Sequence, residues 1–209
     1  INSLSSNKDS NKLKKILKFH IRRFTIDYYF KKVDDISISE LKAFILINIV
    51  SNKKNIIYEK QFTNIIRNQL DNFSIHKSYN LIDHSIFIND ISEIINILLS
   101  YKYEVSEIFF ITKLKMVAAL SQYFHKDGSI ALFNGTNNNY LKQIITVLKE
   151  EKNIRNLEYP NNTNGVYFFE DNNKKIFFDV TQPEKTTLSK KLSAGTLSIE
   201  FSSNKEKII

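Results

Sequence analysis

YPNNTNGVYFFEDNNKKIFFDVT, Tyr159 to Thr181, separates two kinds of sequence pattern. After Tyr159, its opening is Pro, Asn, Thr and Gly, the residues of turns. VYFFE (166–170) and KIFFDVT (175–181) follow on either side of DNNK, and both are rich in aromatic and β-branched residues. They read as a β-hairpin of about ten paired residues. LSAGTLSIEFSS (192–203) and EKII (206–209) continue the two-residue period. Gly195 in that run marks a bulge or a close backbone approach.

Everything before this switch reads helical. Leu13, Ile16, Leu17, His20, Ile21, Phe24, Tyr28 and Phe30 recur mostly at three- and four-residue spacing, which predicts an inward-facing stripe on a helix from Asn11 to Val33. Ser37 or Ser39 caps ISELKAFILINIVS, with Glu40 in its first turn. Further helices are predicted over Tyr58–Leu70, from Asp90 through Leu99, over Val105–Tyr123 and over Asn139–Lys149. Short polar connections fold such helices into antiparallel hairpins, arranged in a ring as an (α/α) toroid or in a row as a solenoid. No tetratricopeptide or ankyrin signature is visible. The expected class is therefore multidomain α+β, with a helical segment at 1–152 and the start of a β domain at 153–209. A first residue other than Met and a last strand without a tail read as an internal piece of a longer protein.

The 209 residues carry a net charge of +8, and 42% are hydrophobic, enough for a buried core. Lysine supplies nearly all the positive charge and is spread along the chain; the arginines are Arg22, Arg23, Arg67 and Arg155. Base readout and phosphate forks favour arginine, so enrichment in Lys, Asn and Ile reads as codon bias before it reads as a nucleic-acid surface. A diffuse positive field still attracts polyanions, including acidic polysaccharides. With no cysteine, disulfides, thiolate metal sites and cysteine nucleophiles are excluded. Gly-rich phosphate loops, GxSxG and HExxH are absent as well, and no apolar run approaches the roughly 20 residues of a membrane span.

Four segments resemble bacterial heparinase II/III-like proteins: NQLDNFSIHKSYN (68–80), FHKDGSIALFNG (124–135), GVYFFEDNNKKIFFDVTQP (165–183) and LSAGTLSIEFSSNKEKII (192–209). In the last, Ala194, Gly195, Leu197, Ser198, Glu200 and Ser202 fall in register with the family pattern. The resemblance implies a helical toroid followed by a β-sandwich, a place in the bacterial cell envelope or periplasm, and an acidic, uronate-containing polysaccharide as partner. It also implies β-elimination, in which a base removes the proton alpha to a uronate carboxylate and an acid protonates the leaving oxygen. No metal or other cofactor is obligatory for that chemistry. Within the second segment, Asp127-Gly128 is expected to turn the chain out of a helix, and Asn134-Gly135 to turn it toward the next.

Asp71 is retained in the first motif. Ser74 and Ser193 stand where relatives carry histidine, and serine is no base near neutral pH without a partner. His76 and Tyr79, in the loop after Ser74, are the candidate catalytic residues; Asp71, Ser74 and Ser193 are the candidate substrate-binding residues. His84 with Asp83 and Asp71 imitates a metal cluster but lacks the spacing of a tight site. His20 reads as a partly buried core residue, and His125, beside Asp127 at a helix end, as a cap favoured by the helix dipole. A non-catalytic glycan-binding relative is the alternative function, and a basic helical nucleic-acid-binding module a second.

Overall fold

The computed structural model describes residues 2–52, 58–149, 162–163, 165–180, 197–204 and 206–208. It is an α+β chain of helices α1 (Asn2–Phe30), α2 (Ile38–Val50), α3 (Glu59–Gln69), α4 (Leu81–Ser100), α5 (Glu107–Ser121) and α6 (Leu141–Lys149). Strands β1 (Asn162–Thr163), β2 (Val166–Glu170), β3 (Lys174–Asp179), β4 (Ser198–Ser203) and β5 (Glu206–Lys207) form one antiparallel sheet in chain order. No strand interrupts the described residues of 11–120. Among the described residues no helix is long and apolar enough to cross a membrane. The chain divides into two compact units, Ile1–Ile65 and Ile66–Ile209, with the boundary inside α3.

In the first unit, Ser37 starts α2 through a capping box. Its hydroxyl accepts from the Glu40 amide at 3.2 Å, and the Glu40 carboxylate accepts from the Ser37 amide at 2.9 Å. Lys31 reaches both Glu40 oxygens at 2.7 and 2.8 Å. Burial pushes the Glu40 carboxyl upward, but Lys31 and Ser37 outweigh it and hold it below the usual range. Tyr28 stacks on Phe44 with ring centroids 4.3 Å apart, over a core that includes Leu41 and Ile45. The predicted inward stripe of α1 is buried only at Tyr28. Leu13, Ile16, Leu17 and Phe30 are exposed, at 67, 47, 57 and 87%, and so is His20, which is therefore not a core residue.

In the second unit α4 packs on α5 and α6, burying Ile88, Ile91, Ile94 and Leu98. It begins nine residues before the expected Asp90, because Asn80 caps it: the side-chain oxygen accepts from the amides of Ile82 and Asp83 at 2.8 and 3.2 Å. The inner face of the sheet carries Val166, Phe168 and Phe177 together with the buried polar residues Lys175, Asp179, Glu200 and Ser202. Phe177 lies against Tyr123, His125 and Phe133, which seats that face on the segment following α5. The predicted hairpin pairs as expected, with Phe168 opposite Phe177 and Phe169 opposite Ile176. Gly195 lies outside the described residues.

Candidate functional site

Helix α3 leaves through a miniature hairpin. Leu70 bridges His76, the Asp71 amide donates to the Ile75 carbonyl at 2.9 Å, Ser74 to Asp71 at 3.0 Å and Lys77 to Gln69 at 2.8 Å. One oxygen of the Asp71 carboxylate accepts from the amides of Phe73 and Ile75 at 2.9 and 2.8 Å, so it builds the loop that carries it. Ser74 occupies the left-handed region with φ 62°, and Tyr79 does so with φ 51°.

Two histidines lock this loop to the helices. His84 is fully buried, its Nδ1 receives the His76 amide at 3.1 Å, and its Nε2 lies 2.9 Å from the Met116 carbonyl. An amide donor at Nδ1 and a carbonyl at Nε2 fix the neutral tautomer protonated at Nε2. Burial pushes its pKa down to about 4; the Met116 carbonyl opposes the shift and His76 adds to it. With both nitrogens engaged, His84 is neither a metal ligand nor a base. Nδ1 of His76 accepts from the Ser78 amide at 3.2 Å and lies 2.8 Å from the Ser78 hydroxyl. Tyr79 donates its amide to the His76 carbonyl at 2.8 Å. The two candidate catalytic residues thus share one turn, but as buried side chains, 7% exposed for His76 and 6% for Tyr79.

Helix α5 leaves through the same construction. Phe124 bridges Ile130, His125 donates to Ser129 at 2.8 Å, Gly128 to His125 at 3.1 Å and Ala131 to Tyr123 at 2.9 Å. Each pairing repeats one after α3 at a constant offset of 54 positions, with Gly128 at φ 84° where the first hairpin has Ser74. Asn134 and Gly135 then make a two-residue turn, with φ 53° and 81° and the Thr136 amide 3.0 Å from the Phe133 carbonyl. Positive φ at both central positions is the type I′ turn that Asn-Gly favours. Asn80 reaches this turn, donating to the Asn134 carbonyl at 2.8 Å, while the Leu81 amide donates to the Thr136 hydroxyl at 3.1 Å. The Asn134 amide in turn donates to Asp179 on β3 at 3.3 Å.

Glu200 on β4 closes the cluster. It accepts from His125 Nε2 at 2.8 Å, from the Leu132 amide at 2.7 Å and from the Lys207 ammonium. Burial pushes its carboxyl upward, and these three donors outweigh it, holding the group below the usual range. Nδ1 of His125 is buried and has no hydrogen-bond partner among the described residues. His125 is therefore a link between the hairpin and the sheet, not the helix-end cap expected from its place in the sequence. Lys175 donates to the Gln122 carbonyl at 2.7 Å and meets Glu170 at 3.1 Å, which also binds Lys126. Burial lowers the Lys175 pKa, and Glu170 opposes the shift.

The structure therefore gathers Asp71, Ser74, His76 and Tyr79 into one loop, which Oδ1 of Asp71 and Nδ1 of His76 help to hold. Ser193 lies outside the described residues. Among those residues no group of three His, Asp or Glu side chains is arranged to hold a metal ion. Sequence reading placed the Asn134-Gly135 turn but missed Asn80, Asp179 and the His125–Glu200 pair that fasten it. Their one visible signal was Asn-Gly, since the partners lie 45 to 75 residues away in the chain. Compared with protein-family models, with curated proteins and with solved structures, the chain shows no match in any of the three.

Proposed function

We infer that this chain belongs to a heparinase II/III-like protein that binds an acidic, uronate-containing polysaccharide at the bacterial cell envelope without turning it over. The observation that carries the reading is the meeting of three resembling segments. FHKDGSIALFNG joins the hairpin through Asn134 and Asp179, and joins SIEFSS through His125, Leu132 and Glu200. Repeated helix–hairpin–helix units, with α4 beside both α5 and α6, suit a toroid, and the antiparallel sheet suits the opening layer of a sandwich.

A binding role is favoured over elimination on chemical grounds. A base needs an accessible lone pair on a group poised near the working pH. Ser74 offers none, and His76 and Tyr79 are buried. The test exposes the full chain to heparin-like and alginate-like polymers, following both binding and the ultraviolet absorbance of the unsaturated uronate that elimination creates. Binding with little or no absorbance gain is expected. Robust turnover overturns the binding role. A preference for duplex nucleic acid with the steep salt dependence of counterion release overturns the polysaccharide reading itself.

A further inference from the structure

We propose that helix α1 binds the acidic polysaccharide through a row of cations along one side; the proposal rests on the reading above and gives it a contact surface. Basic residues are spread along the chain, but the net charge is not. Residues 10–26 contain Lys12, Lys14, Lys15, Lys18, Arg22 and Arg23 and no Asp or Glu, so they supply +6 of the +8. Of the 30 Lys and Arg, the other 24 are set against all 22 Asp and Glu. All six cations are exposed. Among the described residues Arg23 meets Asp27 at 3.8 Å on the open surface, and the other five have no carboxylate partner.

Helix geometry orders these charges. Lys15, Lys18 and Arg22 follow one another at three- and four-residue spacing, so they share one side of α1, opposite Leu13, Ile16 and Leu17. Lys12, Lys14 and Arg23 flank that row. From Lys12 to Arg23 the charges extend about 16 Å along the axis. Tyr28, on the apolar side, is buried and stacks on Phe44 of α2. The apolar side is thus turned to the protein's own core, and the row of cations to solvent. A helix lying in a membrane interface turns its apolar side to the lipid instead, which sets a lipid surface aside as the occupant. A small anion meets one or two of the six charges, whereas an extended polyanion meets the whole row and releases counterions along it. Four of the six are lysine, a compact point charge that suits the single carboxylates of a uronate chain; phosphate forks favour arginine. Like charges three and four residues apart cost a helix stability, so the bound polymer also steadies α1.

Calorimetry of the full chain with alginate-like and heparin-like polymers, at low and high salt, tests the proposal in two variants of equal net charge. Lys15→Gln with Lys18→Gln and Arg22→Gln removes the row; Lys60→Gln with Lys102→Gln and Lys142→Gln removes three exposed cations elsewhere. Glutamine has nearly the helix propensity of lysine and arginine, so α1 is retained, which far-ultraviolet circular dichroism checks. The row variant is expected to bind at least about tenfold more weakly, with a flatter salt dependence, and the control within about twofold of the parent. In the parent, polymer should also slow hydrogen exchange in residues 11–23. Binding that survives in the row variant, or falls equally in both, overturns the site and leaves the polysaccharide reading standing. A parent that binds neither polymer overturns that reading, and the site with it. Tighter binding to phosphatidylserine vesicles or to a single-stranded oligonucleotide at the same salt overturns the choice of partner.

Discussion

His84 is neutral because the fold buries it completely and gives it one donor and one acceptor. Its pKa falls from 6.5 to about 4 on folding, so between those values the unfolded chain binds the extra proton. The stability this histidine contributes is complete above pH 6.5 and is lost as pH falls toward 4. The full loss is about 3 kcal/mol, with about 2 kcal/mol gone by pH 5. Urea midpoints should therefore drop from pH 7 to pH 5, and His84→Gln should flatten that slope; an unchanged slope would contradict the assignment. The depressed carboxyls of Glu40, Asp127 and Glu200 act lower, below their ordinary 3.8 to 4.5. Two glycines make a second comparison. A Cβ at Gly135 stands 3.3 Å from the Asn80 amide, whereas one at Gly128 meets nothing within 4 Å. Both have positive φ, so alanine costs about 1 kcal/mol or more at either, and thermal midpoints should fall further for Gly135→Ala.

At the scale of elements, the sheet is fastened to the hairpin after α5 by buried polar pairs as much as by Phe177. Removing one partner of such a pair strands the other. Glu200→Gln is expected to cost about 2–3 kcal/mol. Combined with His125→Gln in a double-mutant cycle, it should show a coupling of about 1 kcal/mol or more. Additive losses in urea unfolding would mean that the two residues act separately. The capping box of α2 was legible in the sequence because Ser37 and Glu40 are three residues apart. The start of α4 was not: Asp83, His84 and Ser85 break the apolar period, and the reason they are tolerated lies in Asn80, Met116 and the His76 amide. The repeat of the two hairpins was hidden too, since a backbone pattern of four pairings places few demands on side chains.

Over the whole molecule, the helix-to-sheet switch could be read from local pattern. The chemistry of the site could not, because a motif gives the order of residues and not whether their lone pairs are already taken. His76 and Tyr79 sit together in the loop after Ser74, as expected, yet both side chains are buried. Burial is uneven as well: α4 is lined with fully buried isoleucines, whereas residues 11–20 of α1 are exposed throughout. Hydrogen exchange should reflect this, with the slowest amides in α4 and α5 and the fastest helical amides in residues 11–20. Equal protection in both regions would show that the α1 stripe is covered in solution.

The chain has four glycines, and it turns many of its corners without them. Among the described residues Asn52, Ser74, Tyr79, Lys102, Asn134, Leu197 and Asn204 all hold positive φ. Lys102 follows the end of α4, with its amide on Leu99 and the Tyr103 amide on Leu98, the pair of hydrogen bonds that glycine ordinarily closes. Asparagine tolerates that region; left-handed strain of about 1 kcal/mol at each of Ser74, Tyr79, Lys102 and Leu197 comes to about 4 kcal/mol, against a whole stability of about 5–15 kcal/mol for an average domain. The sequence is thus far from the most robust one for its own backbone, and that headroom is open to an engineer. Lys102→Gly should raise the thermal midpoint, by about 0.5 kcal/mol of stability after the added freedom of the unfolded chain is subtracted.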